Sequence, residues 1–332
     1  MNHDVSLNAA ILGFGRWGMN LHKASLKSKK IKISHACTRS PEKVKTYCDE
    51  HQIELTSDYA KVLESEHIGA IIVATPHTQH FDQIMQAADS RKHVFAEKPF
   101  TLSAQQARTA LATLSDKGLK VAIGHNRRFA GNTLALKNLL EQRALGELLH
   151  VEGTFSASMS GARGRWRDSR EESPAGGMTS LGIHVLDMFL NLAGPMRSVS
   201  ATSERIRTTC DFDDSTIVQI EFENGARGVL TTLTSTSMQW RITVYGTKGW
   251  AEIREQDELW IQLDGEDMTR QTFEGFDYPA LRSIQGGLDA FADDVAGRQP
   301  FPISPADILH TTTALDSVFQ SAVAGGQKIL LT

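Results

Sequence analysis

Disulfide chemistry has almost nothing to work with in this chain. Its 332 residues hold three cysteines, Cys37, Cys48 and Cys210, and no C-x-x-C pair. That excludes a disulfide framework and a zinc-ribbon site, and it points to a reducing, cytoplasmic setting. Long apolar runs are also missing: the longest, near Ile68 to Ala74, is far too short to span a bilayer. Neither sign of charge dominates, with 35 Lys and Arg against 39 Asp and Glu for a net charge of −4. No nucleic-acid or membrane partner is therefore expected. The opening Met1-Asn2-His3-Asp4 is polar and runs into a strand, without the charged-then-apolar layout of a signal peptide. Repeats and low-complexity tracts are absent. What remains is an ordinary globular composition, long enough for two domains of about 100–200 residues each.

The first third alternates short apolar runs with helical patterns. Asn8 to Leu12, Lys32 to Cys37, Gly69 to Ala74, His93 to Ala96 and Lys120 to Ile123 read as strands. Arg16 to Ser28, Pro41 to His51 (with Ser40 as N-cap), His80 to Ala88 and Ser103 to Lys117 read as helices. This spacing predicts an α/β fold with a doubly wound parallel sheet over residues 1–125. From 126 to 332 alternating strands dominate, Asn224-Gly225 marks a hairpin, and helices are expected over Met178 to Leu192 and Pro305 to Ala324. A second, α+β domain on a large, mostly antiparallel open sheet is the expectation.

Gly13-Phe14-Gly15-Arg16-Trp17-Gly18 is G-x-G-x-x-G, placed directly after a strand and at the opening of a helix. Gly13 permits the tight turn, Gly15 lets backbone approach a pyrophosphate, and Gly18 lets helix and strand pack closely. A helix N-terminus then offers unpaired N–H groups to phosphate. At the end of the second strand, where NAD sites usually carry an acidic residue, this chain has Thr38-Arg39-Ser40. An arginine flanked by hydroxyls suits the 2′-phosphate of NADP(H), with Arg16 as a second cation. The alternative is that Arg39 stacks on adenine and NAD(H) binds too.

Several motifs taken together resemble the glucose–fructose oxidoreductase / inositol dehydrogenase / rhizopine catabolism (Gfo/Idh/MocA) superfamily. They are the glycine turn, Ala74-Thr75-Pro76-His77 with His80, Glu97-Lys98-Pro99, Asn126-Arg127-Arg128-Phe129, and Gly176-Gly177 followed by Gly182-Ile183-His184-Val185-Leu186-Asp187. The resemblance spans essentially the whole chain in order and spacing. It implies a Rossmann domain, an α/β domain whose open sheet often builds oligomers (a dimer or tetramer here), and NAD(P)-dependent redox chemistry on sugars, inositols or their derivatives. It makes Lys98 the catalytic lysine, with a peptide to Pro99 that is often cis, and it sets Thr75, Pro76, His77 and Glu97 around the nicotinamide ribose.

Read physically, Lys98 follows a parallel strand at its carboxyl end, where ligands of such sheets sit. Burial there would lower its pKa towards acid–base use. A surface salt bridge to Glu97 is the alternative. The helix from Met178 is apolar nearly all round, yet Ser180, His184, Asp187 and Asn191 share one face. Buried polar groups need partners or a cavity, so the face is either a substrate pocket or a satisfied core network around His184. The family usually has Asp where this chain has Ser180, a hydroxyl that cannot hold charge at neutral pH. Asp187 is the available replacement. Lys98 and His184 are expected to share proton transfer, with Arg127, Trp166, Ser180 and Asp187 contributing to substrate binding.

The run Arg163-Gly164-Arg165-Trp166-Arg167-Asp168-Ser169-Arg170 reads as a lid that greets an acidic sugar or as a solvated charged face. His77 and His80 form H-x-x-H without a third ligand candidate, so no metal is expected. The leading reading is an NADP-preferring dehydrogenase or reductase of a sugar, inositol or related polyol. A dinucleotide-binding regulator or scaffold, and an enzyme using the cofactor transiently for elimination or glycoside cleavage, are the rivals.

Overall fold

A computed structural model describes residues 6–255, 257–273 and 281–331; Met1 to Asp4 of the sequence reading lies outside them. The chain divides into two compact units, 1–126 with 277–309 and 127–276 with 310–332.

The first unit is built on β1 (Leu7–Leu12), β2 (Ile31–Cys37), β3 (Glu54–Thr56), β4 (Ala70–Val73), β5 (His93–Ala96) and β6 (Val121–Ile123). Between them run α1 (Arg16–Ser25), α2 (Lys45–Glu50), α3 (Tyr59–Glu64), α4 (His80–Asp89) and α5 (Ala104–Asp116). All neighbouring strands pair in parallel, in the order β3-β2-β1-β4-β5-β6. β4 is Ala-Ile-Ile-Val with every residue at 0% exposure, the uniform apolar run that a strand covered on both faces requires. The strand order reverses between β1 and β4, so the carboxyl ends of these two strands flank the crevice where doubly wound sheets hold ligands.

Two local expectations fail here. The helix expected over Pro41 to His51 is a single 3-10 turn, Pro41–Lys43, then a break at Val44 before α2. Ser40 makes no capping bond. Val44 is buried at φ −124°, and packing of this β-branched side chain overrides helical continuity.

The second unit carries α6 (Gly131–Glu141), β7 (Leu148–Ser156), α7 (Ile183–Ala193), β8 (Met196–Glu204), β9 (Ser215–Phe222), β10 (Arg227–Leu233), β11 (Gln239–Gly246), β12 (Gly249–Arg254), β13 (Glu258–Leu263) and β14 (Thr269–Thr272). α8 (Leu281–Val295) belongs to the first unit and packs on α1, with Phe291 against Phe95. α9 (Pro305–Val323) and β15 (Ile329–Leu330) close the chain. The nine strands follow the order β14-β13-β12-β11-β7-β10-β9-β8-β15, antiparallel except for β7 beside β10. Gly225, at φ +90°, turns the β9–β10 hairpin as Asn224-Gly225 foretells. Alternation sorts the sheet's faces. Val151, Phe155, Trp240, Ile242, Val244, Ala251 and Ile253 join the core with α7, while His150, Arg241, Tyr245, Arg254 and Trp260 stay outside it.

His22 of α1 is 3% exposed, and its Nδ1 lies 2.8 Å from the Tyr47 hydroxyl. Burial, and then the neighbouring His51, lower its pKa to about 4. The folded protein therefore keeps His22 neutral while the unfolded chain takes up a proton below about pH 6.5. Its contribution to stability is complete above that pH and is lost as pH falls towards 4. In urea denaturation across this window, the wild type loses on the order of 2–3 kcal/mol more than His22→Gln. Parallel pH profiles for the two proteins would exclude the burial account.

Candidate active site

The first unit gathers its site residues at the carboxyl ends of its strands. After β1, Gly13 takes φ +86°, and a Cβ there would stand 2.4 Å from the Ala74 carbonyl oxygen. A Cβ on Gly18 would stand 2.6 Å from the Gly13 oxygen, so both positions are closed to larger residues by backbone. Gly15 differs: nothing lies within 4 Å of its missing Cβ. Packing does not explain a glycine there, and close approach of a ligand to bare backbone does.

Gly15 is also the N-cap of α1, without a side-chain capping bond and without an acidic residue in the first turn. The helix thus meets the turn with uncapped N–H groups and an unneutralised positive end. Trp17 Nε1 is buried with no hydrogen-bond partner among the described residues. These features fit a pyrophosphate-bearing cofactor. Phe14 points the other way, fully buried beside His22 and Tyr47, so its part in the turn is played by backbone.

After β2, Arg39 is exposed and pairs with no carboxylate among the described residues, as does Arg16 at the start of α1. Thr38 N–H donates to the Thr56 carbonyl at 3.0 Å, fixing the backbone from which Arg39 projects. Cys37, at the last position of β2, is buried, and burial followed by Asp58 pushes its thiol up to about 11, so it stays protonated.

The segments after β4 and β5 are tied together. The His80 ring nitrogens lie 2.9 Å from the Pro99 carbonyl oxygen and 3.1 Å from that of Thr75. Thr75 Oγ1 donates to Gln83 Oε1 at 2.6 Å, and His77 is 5% exposed with its ring edge-on to His80. Glu97 is 6% exposed and receives the Lys98 N–H at 3.3 Å; the Lys98–Pro99 peptide is cis. The Glu97 carboxylate packs so closely on Gly124 that a Cβ there would stand 2.5 Å from Oε1. Gly124 and Gln83 belong to no recognisable motif, so only the fold shows their place here. His80 enters here as the tie that sets Lys98 relative to Thr75.

In the second unit, five residues of the expected helix, Met178–Gly182, form a π-helical turn before α7 begins. His184 is part-buried beside Phe155, with ring centroids 5.9 Å apart. Two other members of the polar face, Asp187 and Asn191, are engaged. Asp187, 1% exposed, receives Arg128 Nε at 3.0 Å on each oxygen and Nη2 at 2.7 Å. Asn191 receives Lys137 Nζ at 3.1 Å. Asp187 thus anchors the Asn126–Phe129 turn through Arg128. Arg127 holds its guanidinium 3.8 Å over the Trp240 ring and 4.8 Å from that of Phe155.

The basic loop is tied down rather than free as a lid. Asp168 accepts N–H bonds from Gly164 at 2.7 Å and Asp211 at 2.9 Å, which hold its carboxyl below the usual range. Arg170 pairs with Asp213 at 3.0 Å, and Trp166 carries Arg167 stacked 3.9 Å over its ring. Among the described residues no three His, Cys, Asp or Glu side chains gather as metal ligands, His77 and His80 included. No described helix is long and apolar enough to cross a membrane.

A parallel six-stranded sheet with a glycine turn at its switch point, joined to a nine-stranded open sheet, defines a two-domain dinucleotide-dependent oxidoreductase. Residues 7–125 match the model of an oxidoreductase family with an NAD-binding Rossmann fold, and residues 133–252 match the GFO/IDH/MocA C-terminal domain. The chain belongs to the Gfo/Idh/MocA family of oxidoreductases. It is 28% identical over 306 residues to the uncharacterized oxidoreductase YrbE of Bacillus subtilis, covering 86% of this chain and 83% of that one. It is 28% identical over 197 residues to the scyllo-inositol 2-dehydrogenase (NADP(+)) IolW of the same organism, covering 59% and 54%. A levoglucosan dehydrogenase in complex with NADH and L-sorbose shares the fold at a TM-score of 0.89 and 20% identity, covering 98% of this chain and 99% of that one.

Proposed function

We propose that this oxidoreductase prefers NADP(H), accepts NAD(H) less well, and moves a hydride to or from a sugar, inositol or related polyol. The observation that carries the cofactor preference is Arg39, exposed just after β2 and paired with no carboxylate among the described residues, where a 2′-hydroxyl reader would be acidic. Arg16 adds a second cation beside Gly15. Bound at the glycine turn, the nicotinamide cofactor supplies or accepts the hydride.

The chain's own residues handle position and protons. Backbone N–H groups of the turn and of the α1 N-terminus bind the pyrophosphate. Thr75, Pro76, His77 and Glu97 orient the nicotinamide ribose. Lys98, with His184, gives or takes the proton at the substrate oxygen. Substrates of the relatives, an inositol for IolW and the anhydrosugar levoglucosan for another dehydrogenase, support the polyol class. Three buried free thiols suit a reducing cytoplasm. The outward sheet face, with Tyr245, Trp260 and Arg254, is the surface we assign to a second copy of the chain in a homo-oligomer.

Calorimetry with both reduced cofactors tests the preference. The wild type should bind NADPH roughly tenfold to a hundredfold more tightly than NADH, and Arg39→Ala should abolish most of the difference by weakening NADPH alone. Equal affinities in the wild type would refute NADP preference. No binding of either cofactor would refute the dehydrogenase reading itself.

A further inference from the structure

The loop after β4 carries a hydroxyl whose proton is already committed. Thr75 lies against the glycine turn: a Cβ on Gly13 would stand 2.7 Å from the Thr75 backbone nitrogen. It follows β4 at the carboxyl end that borders the switch-point crevice, and it is part-exposed where β4 itself is fully covered. Its Oγ1 donates to Gln83 Oε1 at 2.6 Å, a short O–H···O bond. Gln83 stands in the first turn of α4, four residues after Gln79, so the two side chains share a helix face. Gln83 Nε2 donates to Gln79 Oε1 at 3.4 Å, which leaves the amide oxygen for Thr75. The backbone of Gln83 is held as well, because the Tyr59 hydroxyl of α3 donates to its carbonyl at 3.0 Å. Burial, followed by Cys37, pushes that phenol up, so it keeps its proton for this bond.

A hydroxyl has one proton and two lone pairs. With its proton directed at Gln83, the Thr75 oxygen can only accept from anything else. The neighbouring turn has the opposite polarity, since Gly15 and the first turn of α1 present uncapped N–H groups. Phosphates carry acceptors and no donors, so they suit those N–H groups and are repelled by a bare hydroxyl oxygen. A ribose carries hydroxyl donors. β2 and β4 flank β1 on opposite sides, so a dinucleotide with its adenosine at Arg39 after β2 brings its nicotinamide ribose to the β4 side.

We infer that Gln83 is a positioning residue for the cofactor: by taking the Thr75 proton it makes Thr75 a fixed acceptor, which admits a hydroxyl of the nicotinamide ribose and excludes a phosphate. This rests on the dinucleotide reading above and names a residue that sets the cofactor's placement without touching it.

Calorimetry tests this with the reduced cofactor that binds the wild type more tightly, NADPH or NADH, beside ADP and adenosine 2′,5′-bisphosphate. The two shorter ligands keep adenosine and phosphates and lack the nicotinamide riboside. Gln83→Leu and Thr75→Val should each raise the cofactor's dissociation constant about threefold to tenfold, the effect of one lost neutral hydrogen bond. The double variant should lose no more than Thr75→Val alone, because Gln83 acts through Thr75. Gln83→Glu, which accepts and cannot donate when ionised, should stay close to the wild type. Gln83→Lys, which donates and cannot accept, should lose as much as Gln83→Leu. The shorter ligands should bind every variant as they bind the wild type, which a merely structural role would not give and which shows the fold intact. Additive losses in the double variant, no loss in Gln83→Leu, an equal loss for the shorter ligands, or retained affinity in Gln83→Lys with a loss in Gln83→Glu would overturn the assignment. A wild type that binds neither reduced cofactor would instead refute the dinucleotide reading on which it rests.

Discussion

Asp187→Ala should lower the unfolding free energy by about 3–5 kcal/mol, the cost of breaking a buried ion pair from one side. Arg128 and Asp187 are 9% and 1% exposed at the side chain, and three N–H···O bonds join them. Removing the carboxylate strips this partner from a guanidinium that water scarcely reaches, whereas an exposed pair would cost about 0–1 kcal/mol. The pair joins α7, which carries His184, to the turn that carries Arg127, so the damage should extend to substrate affinity. Urea denaturation gives the first quantity. The double replacement Arg128→Met with Asp187→Leu should recover most of the lost stability, because two apolar groups satisfy one another where a lone charge cannot. A loss under 1 kcal/mol in the single variant would show that the pair is dispensable.

Lys98→Ala should reduce kcat by roughly a hundredfold to ten-thousandfold, the range for removing a positioned general acid or base. The expectation rests on the place of Lys98 directly after β5, at the carboxyl end of the sheet, beside the buried Glu97. Lys98→Arg should not rescue the rate, since a guanidinium keeps its proton at any working pH. NADPH protection against thermal unfolding should persist in both variants, separating a lost proton transfer from a lost fold. Turnover of Lys98→Ala within tenfold of the wild type would remove Lys98 from the chemistry.

Five strands of the parallel sheet were legible because each is a short run rich in apolar residues, and because Gly13, Gly15 and Gly18 satisfy three separate steric demands in one turn; β3, the three residues Glu54–Thr56 at the sheet edge, is too short and too polar to show. The later meander was less so. Strands over 249–272 mix Trp, Arg, Glu and Gln on an outward face, and their alternation is diluted by charge. α8 escaped notice because it lies far along the chain from the α1 surface it covers.

At the candidate site, sequence spacing put Ser180, His184, Asp187 and Asn191 on one face but could not say what faced them. Arg128 stands 59 residues before Asp187 and Lys137 stands 54 before Asn191, separations at which periodicity carries no information. The stacking of Arg127 on Trp240 is hidden for the same reason. Only the register of β11 on β7 brings Trp240 beside Phe155, and no residue in either strand announces that register.

The His80 bridge has a consequence for how cofactor choice and chemistry could diverge over time. Because one imidazole joins the Thr75 and Pro99 backbones, a change in either loop is transmitted to the other, and drift there alters coenzyme affinity and rate as one trait. Arg39 lies just after β2, outside that linkage. Coenzyme selection could thus be exchanged by point substitution while the reactive apparatus is inherited unaltered.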